Sequence, residues 1–386
     1  MKRNYVIYGA GRWGLKAIAE YGKENISYII DNNVQLQGTE LDGLKIVDFQ
    51  HFLNDTVNPQ VIIAVKDFLD IRKQLMDCGI DDYIIYVPRF ESFFPRDILV
   101  YNTYEYRDEA FSEADYNEAT HQNEILFLRI ESRVEELKKA VPLFEHIEIE
   151  TYNRCNGVCD FCPVSVKAES RKKCLMDIEL FKKIIEELAD LNYSGRLCLF
   201  SNNEPFLDSR IIELHKYARK MLPNARMHLY TNGTLLTLDK FIEIMKYLDE
   251  LIIDNYNQEL KLIPNARRIK EYCEEHPELI ERVTIVLRKP KEILATRGGD
   301  APNRHEKISY ENTKCVNPFR QMIVRPDGKV SLCCNDPLGK NTMGDLNRSS
   351  VTEVWYGEEF RKVREALAKG RQYWPHCKYC DVFNPD

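Results

Sequence analysis

Residues 147–165 read IEIETYNRCNGVCDFCPVS, and this stretch decides how the rest of the chain is interpreted. Ile147, Ile149 and Thr151 alternate with polar residues, which predicts a β-strand. Three cysteines follow in a C-x3-C-x2-C pattern, so three soft thiolates surround one small volume at the end of the strand. Three protein ligands suit a cluster or metal that keeps one position open, which is typical of a reactive site. The cysteines are Cys155, Cys159 and Cys162.

This cysteine pattern resembles that of the radical S-adenosylmethionine (SAM) superfamily. In that family three such cysteines hold a [4Fe-4S] cluster, and SAM chelates the fourth iron. Phe161, the aromatic residue before the third cysteine, also fits the family pattern. The resemblance therefore implies a SAM-binding [4Fe-4S] cluster held by the three cysteines. A zinc knuckle completed by His146 or His215 is the alternative, although zinc ligands usually follow C-x2-C and H-x3-5-H spacing.

Composition limits the class of protein. The chain has 386 residues, which suggests two or three domains, and 44% hydrophobic residues, enough to bury real cores. Its net charge of −7 is spread along the chain, so we expect no nucleic-acid partner. We also expect a cytoplasmic protein, because no run approaches the ~18 apolar residues of a membrane helix and no signal peptide is visible. Twelve cysteines then point to metal or redox chemistry rather than disulfides.

Strands and helices alternate over residues 1–100, which predicts a Rossmann-like parallel sheet. Gly9, Gly11 and Gly14 form a G-x-G-x-x-G turn after the first strand, and Asp31 ends the second. Such glycines allow close backbone approach, the helix N-terminus accepts phosphate, and the acid can bind a ribose hydroxyl. The segment is similar to the small Rossmann-like domain of some sugar acyltransferases and polysaccharide-biosynthesis proteins, which implies a nucleotide or nucleotide-sugar ligand. A docking domain without a ligand is the alternative.

Two segments follow with different patterns. Residues 101–143 are polar and partly helical, and they predict a connector between domains. Residues 144–300 alternate strand and helix again, with apolar helical faces such as that of DIELFKKIIEEL from Asp177. This repeat fits the partial (β/α)6 barrel of the radical SAM core, on which sites gather at the C-terminal ends of the strands. The expected strands are residues 146–151, 197–200, 227–231, 251–254 and 283–288.

A polar motif follows the second of these strands. Asn202, Asn203, Glu204 and Pro205 stand where the family usually has G-G-E-P, whose backbone and acid contact the methionine amino group of SAM. Glu204 matches, and a carboxylate beside an ammonium group makes a charge-assisted contact. Asparagine replaces both glycines, although it tolerates left-handed backbone less freely. A capped strand-to-helix turn is the alternative.

Two further segments are predicted to contact SAM or substrate. Thr231 and Asn232, in a T-N-G sequence, occupy the place that lies near the SAM ribose in the family; a simple Asn-Gly turn is the alternative. Arg297 lies in TRGG, which is similar to an N-R-A-G or R-G-G segment of members with an extra C-terminal cluster. Arg288 ends the fifth strand. Either arginine can reach a carboxylate or a sugar oxygen, and facing solvent is the alternative for each.

Residues 301–386 form a small cysteine-rich domain. RPDGKVSLCC predicts a β-hairpin that brings two cysteines together, and a distant C-x2-C completes a set of four thiolates. This set resembles the twitch domain, the half-size relative of the SPASM domain, and implies an auxiliary [4Fe-4S] cluster. A zinc ribbon is the alternative, and Cys334 is a second choice as ligand. The four predicted ligands are Cys315, Cys333, Cys377 and Cys380.

The resemblance implies that SAM is cleaved reductively to methionine and a 5′-deoxyadenosyl radical, with electrons from a protein such as flavodoxin or ferredoxin. The auxiliary cysteine spacing is similar to that of an aminocyclitol dehydrogenase. We therefore expect a small-molecule substrate, with oxidation or epimerisation of a sugar, nucleotide-sugar or cyclitol carbon. A peptide-modifying maturase is the second enzymatic interpretation. A non-catalytic iron–sulfur protein for ligand sensing or electron transfer is the interpretation from another class.

Overall fold

The computed structural model describes residues 4–88, 94–105, 113–304 and 309–383, without the side chains of residues 113–122. Its strands form two sheets, one of six strands and one of nine. Most of the pairing is parallel, so the predicted α/β fold class is confirmed. Within the described residues no helix combines the length and apolarity that crossing a membrane requires.

The six-stranded sheet is built from the N-terminal residues. Its order is β3-β4-β2-β1-β5-β6; the β3–β4 pair is antiparallel and the others are parallel. The five parallel strands thus follow the 3-2-1-4-5 order of a doubly wound sheet. Its strands are β1 (Tyr5–Tyr8), β2 (Ile26–Ile30), β3 (Glu40–Leu41), β4 (Leu44–Val47), β5 (Gln60–Ile63) and β6 (Tyr83–Ile85). Its helices are α1 (Arg12–Tyr21), α2 (Phe49–Leu53) and α3 (Leu69–Asp77).

The sequence patterns predict four of these strands but not the β3–β4 hairpin or α2. Strand β3 has only two residues, which is too short for a periodic pattern. The Asp42-Gly43 turn of the hairpin, with φ of 51° and 71°, is a hairpin signal that does not show as a run of apolar residues.

The nine-stranded sheet holds the remaining strands in the order β15-β14-β13-β8-β9-β10-β11-β12-β7. Its strands are β7 (Val100–Asn102), β8 (His146–Ile149), β9 (Arg196–Cys198), β10 (Arg226–Thr231), β11 (Glu250–Tyr256), β12 (Val283–Arg288), β13 (Gln321–Val324), β14 (Lys329–Ser331) and β15 (Thr342–Asp345). The helices are α4 (Glu113–Leu137), α5 (Ile178–Asp190), α6 (Ile211–Met221), α7 (Leu238–Ile244), α8 (Pro264–Glu275), α9 (Val351–Trp355) and α10 (Glu358–Lys369).

All five strands expected over residues 144–300 are present as β8 to β12, paired in parallel and separated by helices α5 to α8. The sixth parallel position is taken by β7, which precedes the other five in the chain and pairs with β12. On the opposite side β13 pairs in parallel with β8. The partial barrel is therefore completed by strands from outside residues 144–300, which a sequential β/α pattern does not reveal.

Helix α5 shows how the sequence places these elements. The Asp177 carboxylate accepts hydrogen bonds from the backbone N–H groups of Glu179 and Leu180 and so caps the helix. The predicted apolar face is buried at Phe181, Ile184, Ile185 and Leu188. Ile178, expected on the same face, is 38% exposed because it lies in the first turn, at the edge of the contact.

The C-terminal segment is fastened to the start of the barrel. The predicted hairpin is confirmed as β13 and β14, with Gly328 at a φ of 82° in the turn. Trp355 is fully buried, and its indole N–H donates to the Pro142 carbonyl oxygen at 2.8 Å. Its ring packs edge-on against Phe144, with centroids 5.4 Å apart. These contacts hold the C-terminal segment against the residues that lead into β8.

The two sheets also touch. Ser194 Oγ donates to the Ile85 carbonyl oxygen at 2.7 Å, and Arg226 pairs with Glu20 at 2.6 Å. Glu136 of α4 pairs with Lys66 at 2.9 Å, which links the end of α4 to the N-terminal sheet. The N-terminal sheet is therefore docked on the barrel through polar contacts as well as through a shared apolar core.

We expect Phe181→Ala to destabilise the fold far more than Ile178→Ala on the same helix. Phe181 is 1% exposed, and emptying such a site usually costs about 3–5 kcal/mol in unfolding free energy. The Ile178→Ala substitution, at an exposed position, should lower the unfolding free energy by less than about 1 kcal/mol. Urea unfolding followed by circular dichroism measures both. Equal losses would contradict the inward orientation of Phe181.

Candidate active site

The carboxyl ends of the central strands surround a cavity of about 630 Å³. Most of the site residues predicted from the sequence line it, although they come from five separate loops and strands. They are Cys155, Cys159, Phe161, Cys162, Asn202, Asn203, Glu204, Thr231, Asn232, Arg288 and Arg297. The structure thus brings the predicted cluster ligands and the predicted SAM contacts into one place.

The three cysteines lie on the loop that leaves β8. The Gly157 backbone N–H donates to Cys155 Sγ at 3.2 Å, and the Cys162 N–H donates to the Cys159 carbonyl oxygen at 3.2 Å. A Cβ on Gly157 would lie 3.2 Å from Cys155 Sγ and 3.9 Å from Cys159 Sγ. The two sulfurs therefore face the same space beside Gly157.

Burial dominates the electrostatics of these thiols. It raises the pKa of Cys155 to about 11 and that of Cys159 to about 12, and repulsion from Cys162 adds to both shifts. Buried thiols of this kind become thiolates only when a cation compensates their charge. The donor set therefore fits an iron–sulfur cluster, whose iron supplies that charge.

Glu204 ties the ends of β9 and β10 together. Its carboxylate accepts hydrogen bonds from the Asn232 N–H and the Thr231 hydroxyl, both at 2.8 Å, and from the Phe206 N–H at 3.1 Å. Burial raises its pKa to about 7, and its charge is close enough to act on Cys155. Glu204, the predicted SAM contact, therefore also links the two loops that form this side of the cavity.

Asparagine fits at positions 202 and 203 without left-handed backbone, because neither residue has a positive φ. The Asn202 carbonyl oxygen accepts from Arg171 at 2.9 Å, and its side-chain oxygen accepts from Arg297. Arg171 is itself buried in ion pairs with Glu150 and with Glu169, each at 2.9 Å. This buried network was not predicted from the sequence, since Glu150, Asn202 and Arg297 are far from Arg171 in the chain.

The T-N-G sequence serves both as a turn and as part of the cavity wall. Gly233 has a φ of 72°, and a Cβ there would come within 2.8 Å of Ile253. Asn232 Nδ2 donates to Asn156 Oδ1 at 2.7 Å and lies 4.0 Å from Cys155 Sγ. Asn232 therefore contacts the cysteine loop directly.

The two predicted arginines have different surroundings. Arg288, at the end of β12, lies 3.8 Å from Asp254 of β11. Arg297 has a left-handed backbone, with a φ of 53°, and its guanidinium contacts Asn202. Left-handed conformations are strained for a residue with a side chain and tend to occur at functional sites.

The sequence does not predict several residues of this cavity, and it names His146 only as an alternative zinc ligand. Burial raises the pKa of Glu148 to about 7 and that of Asp254 to about 6, and it lowers the pKa values of His146 and His228 well below the ordinary value. The two histidine rings are 5.0 Å apart. Glu148, His228 and Asp254 interrupt strands of buried apolar residues, and His146 begins one. Polar residues at such positions in a predicted barrel strand are the signal that could have found them.

The four predicted auxiliary ligands converge in the C-terminal segment. Cys315, Cys333, Cys377 and Cys380 line one small cavity, separate from the large one. The Cys380 N–H donates to the Cys377 carbonyl oxygen at 3.0 Å, which closes the C-x2-C turn. Each of the other three thiols lies near enough to add to the rise in the pKa of Cys333, whose largest cause is burial.

The glycine-rich turn lies in the other sheet, outside the cavity. A Cβ on Gly14 would fall on the Gly9 carbonyl oxygen, and one on Gly11 would meet nothing within 4 Å. The Asp31 carboxylate accepts from the backbone N–H groups of Ala10 and Asn33, both at 2.8 Å. Asp31 thus braces the turn itself.

The alternative metal ligands are placed differently. His215 is buried in α6, where Nδ1 contacts the Ile211 carbonyl oxygen at 2.8 Å, whereas His146 lines the large cavity. Among the described residues, no group of three or more His, Cys, Asp or Glu side chains is placed so that it could hold a single metal ion. None of the twelve cysteines forms a disulfide.

We expect Glu148→Gln to remove a pH-dependent loss of stability. Because burial raises the pKa of Glu148 from 4.5 to about 7, the unfolded chain ionises this carboxyl at lower pH than the folded protein does. The contribution of the Glu148 carboxyl to the free energy of unfolding is therefore full below pH ~4.5 and is lost as the pH rises through ~7. Between pH 6 and pH 8 the unfolding free energy of the wild-type protein should therefore fall by about 1 kcal/mol more than that of the variant.

Anaerobic urea unfolding at the two pH values measures this difference. Glu213→Gln, which changes an exposed carboxylate on α6, is the matched control and should behave as wild type. An unchanged pH dependence in Glu148→Gln would contradict the assigned burial of the carboxyl.

Comparisons with known proteins agree with this geometry. Residues 149–293 match the family model of the radical SAM superfamily. Residues 315–381 match that of SPASM, an iron–sulfur cluster-binding domain. These two domains imply a SAM-binding [4Fe-4S] cluster and an auxiliary iron–sulfur cluster.

One curated relative is the S-adenosyl-L-methionine-dependent 2-deoxy-scyllo-inosamine dehydrogenase of Niallia circulans. It is 28% identical over 243 residues, which are 62% of this chain and 93% of that protein. The crystal structure of BtrN in complex with AdoMet and 2-DOIA is similar with a TM-score of 0.55 and 25% identity, covering 63% of this chain and 96% of that one. The chain therefore carries a radical SAM domain over residues 149–293 and a C-terminal SPASM-type iron–sulfur domain over residues 315–381.

Proposed function

We propose that this radical SAM enzyme dehydrogenates or epimerises a carbon of a sugar, nucleotide sugar or cyclitol. The observation that carries the proposal is the single cavity that joins the three-cysteine loop to a polar interior. The relative named as a 2-deoxy-scyllo-inosamine dehydrogenase supports a cyclitol or a related polyol as substrate. When bound, the cluster and SAM supply a 5′-deoxyadenosyl radical, which abstracts a hydrogen atom from the substrate.

Different residues of the chain would hold each cluster and SAM. Cys155, Cys159 and Cys162 would ligate the SAM-binding cluster, and Phe161 packs beside them against Tyr256, with ring centroids 6.0 Å apart. The four cysteines of the small cavity would ligate the auxiliary cluster. SAM would lie along the rim, against Asn202, Asn203, Glu204, Thr231 and Asn232.

The deeper part of the cavity suits a substrate with many hydroxyl groups. Glu148 and His146 on β8, His228 on β10 and Asp254 on β11 offer donors and acceptors to this cavity. Arg288, at the end of β12, and Arg297, in the loop beyond it, add cationic donors. Hydroxyl groups need such partners once they leave water, because a buried polar group without a hydrogen bond is costly.

The N-terminal residues have a separate role in this proposal. We infer the division into residues 1–100, 101–143, 144–300 and 301–386 from the two distinct sheets and the connector helix α4. A nucleotide or nucleotide sugar would bind over Gly11, where the N-terminus of α1 has no side-chain cap. A cytoplasmic location, with flavodoxin or ferredoxin as reductant, would suit twelve free cysteines.

Substitutions in the two cysteine sets should separate the two clusters. We expect Cys159→Ala to lose about four irons per chain and all 5′-deoxyadenosine formation, since three thiolates are needed to hold the first cluster. Cys377→Ala should lose a similar amount of iron but retain SAM cleavage. Iron analysis and chromatography of SAM products measure both. Cys78→Ser, at an exposed cysteine, is the control and should match wild type.

We expect anaerobic turnover with a polyol to oxidise or invert one carbon. The probes are 2-deoxy-scyllo-inosamine, myo-inositol and UDP-glucose, with dithionite as reductant, and the products are identified by mass spectrometry and NMR. Oxidation should consume about one SAM per carbonyl formed. Absence of substrate-dependent 5′-deoxyadenosine with all three probes would contradict the proposed function.

A further inference from the structure

A fifth cysteine of the C-terminal segment faces the large cavity. Cys334 follows Cys333 directly, yet the two line different spaces: Cys333 the small cavity of the auxiliary set, Cys334 the large one. Cys333 is buried and Cys334 is half-buried. The tight turn that begins at Cys333, where the Asp336 N–H donates to the Cys333 carbonyl oxygen at 3.0 Å, sends neighbouring side chains in different directions.

Three residues hold the position of Cys334, and two of them, Gln321 and Asn202, line the same cavity. Its backbone N–H donates to Gln321 Oε1 at 3.4 Å, and its carbonyl oxygen accepts from Asn202 Nδ2 at 3.5 Å. Asn335 Nδ2 donates to the sulfur at 3.6 Å, which uses the sulfur as an acceptor. Asn202 also contacts Arg297, so the thiol and the arginine share one support.

The space beside this thiol is built for a polar ligand. Among the described side chains, Glu148 Oε2, His228 Nδ1 and Asn203 Nδ2 are buried without a hydrogen-bond partner, and all three residues line the large cavity. Each is more than nine-tenths buried. Orphaned polar groups of this kind are expected where a ligand completes their hydrogen bonds.

We propose that the Cys334 thiol donates a hydrogen atom to the substrate radical and so gives an epimer instead of a ketone. This inference rests on the proposed function and selects epimerisation over dehydrogenation. An S–H bond is weaker than a C–H bond, so transfer from sulfur to a carbon radical is downhill. A thiol on a different side of the substrate carbon from the abstracted hydrogen would invert its configuration.

The epimerisation balances when one further electron reaches the Cys334 sulfur. A C–H bond of the substrate breaks and its hydrogen atom goes to the 5′-deoxyadenosyl carbon; a new C–H bond forms with the hydrogen atom of Cys334. The sulfur radical left behind takes one electron from a one-electron reductant, an iron–sulfur or flavin protein of the kind that SAM cleavage already needs. It takes one proton from solvent. Each epimer therefore costs two electrons and one solvent proton.

The test is turnover in deuterium oxide with the three probes named above and dithionite. Because a thiol exchanges its hydrogen with solvent, the wild-type enzyme should place one deuterium on the inverted carbon. Cys334→Ala and Cys334→Ser should lower that labelling at least ~10-fold and still form 5′-deoxyadenosine. The serine variant is decisive, since an O–H bond is too strong to donate its hydrogen atom to a carbon radical.

Iron content separates this role from cluster ligation without relying on activity. Both Cys334 variants should hold as much iron as wild type and the exposed-site control Cys78→Ser. A loss of about four irons per chain would make Cys334 a ligand and overturn the inference.

The remaining outcomes are also decisive. Formation of 5′-deoxyadenosine and a ketone without solvent deuterium on the substrate carbon, or labelling that persists in Cys334→Ala, would overturn this inference and leave the proposed function standing. Absence of substrate-dependent 5′-deoxyadenosine would overturn both.

Discussion

The active-site region depends on the pairing of β8 with a parallel strand on each side. Ile147 is paired with Leu197 of β9 and with Met322 of β13. Parallel strands end at the same edge of a sheet, so the loops after β8 and β9 emerge side by side. This places the cysteine loop beside Glu204. Because β14 runs antiparallel to β13, the hairpin turns back, and Cys334 lines the same cavity beside Gln321 at the start of β13. The four auxiliary cysteines line the small cavity.

Buried charge holds these loops in place. Arg171 pairs with Glu150 and Glu169, and Arg320 pairs with Glu145 at 2.7 Å. Removing water from both partners offsets most of the attraction, so such pairs add little net stability. Losing one partner is costly, about 3–5 kcal/mol, because the other charge stays buried. The pairs therefore specify geometry more than they stabilise the fold, and Arg171 extends that geometry to Asn202.

The site is electrostatically poised for its cofactors. Burial disfavours charge on the cysteine thiols, on Glu148 and Glu204, and on the two cavity histidines. A bound cluster reverses this at the cysteines, since iron favours the thiolate. The carboxyls and imidazoles deeper in the cavity remain available as hydrogen-bond partners. A polyol is a suitable occupant, because its hydroxyl groups are neutral donors and acceptors.

The sequence by itself determined the fold class and the five barrel strands, and it grouped the cysteines into the two sets that the structure brings to two cavities. Local signals carry this information: alternation marks strands, helical spacing marks amphipathic helices, and the spacing of cysteines in one loop is a local property. Only the tertiary structure decided that β7 and β13 complete the sheet and that Arg171 braces Asn202. It also placed Glu148, Asp254, His146 and His228 in one cavity and turned Cys334 away from Cys333. These facts depend on contacts between residues far apart in the chain, for which a single sequence contains no periodic signal.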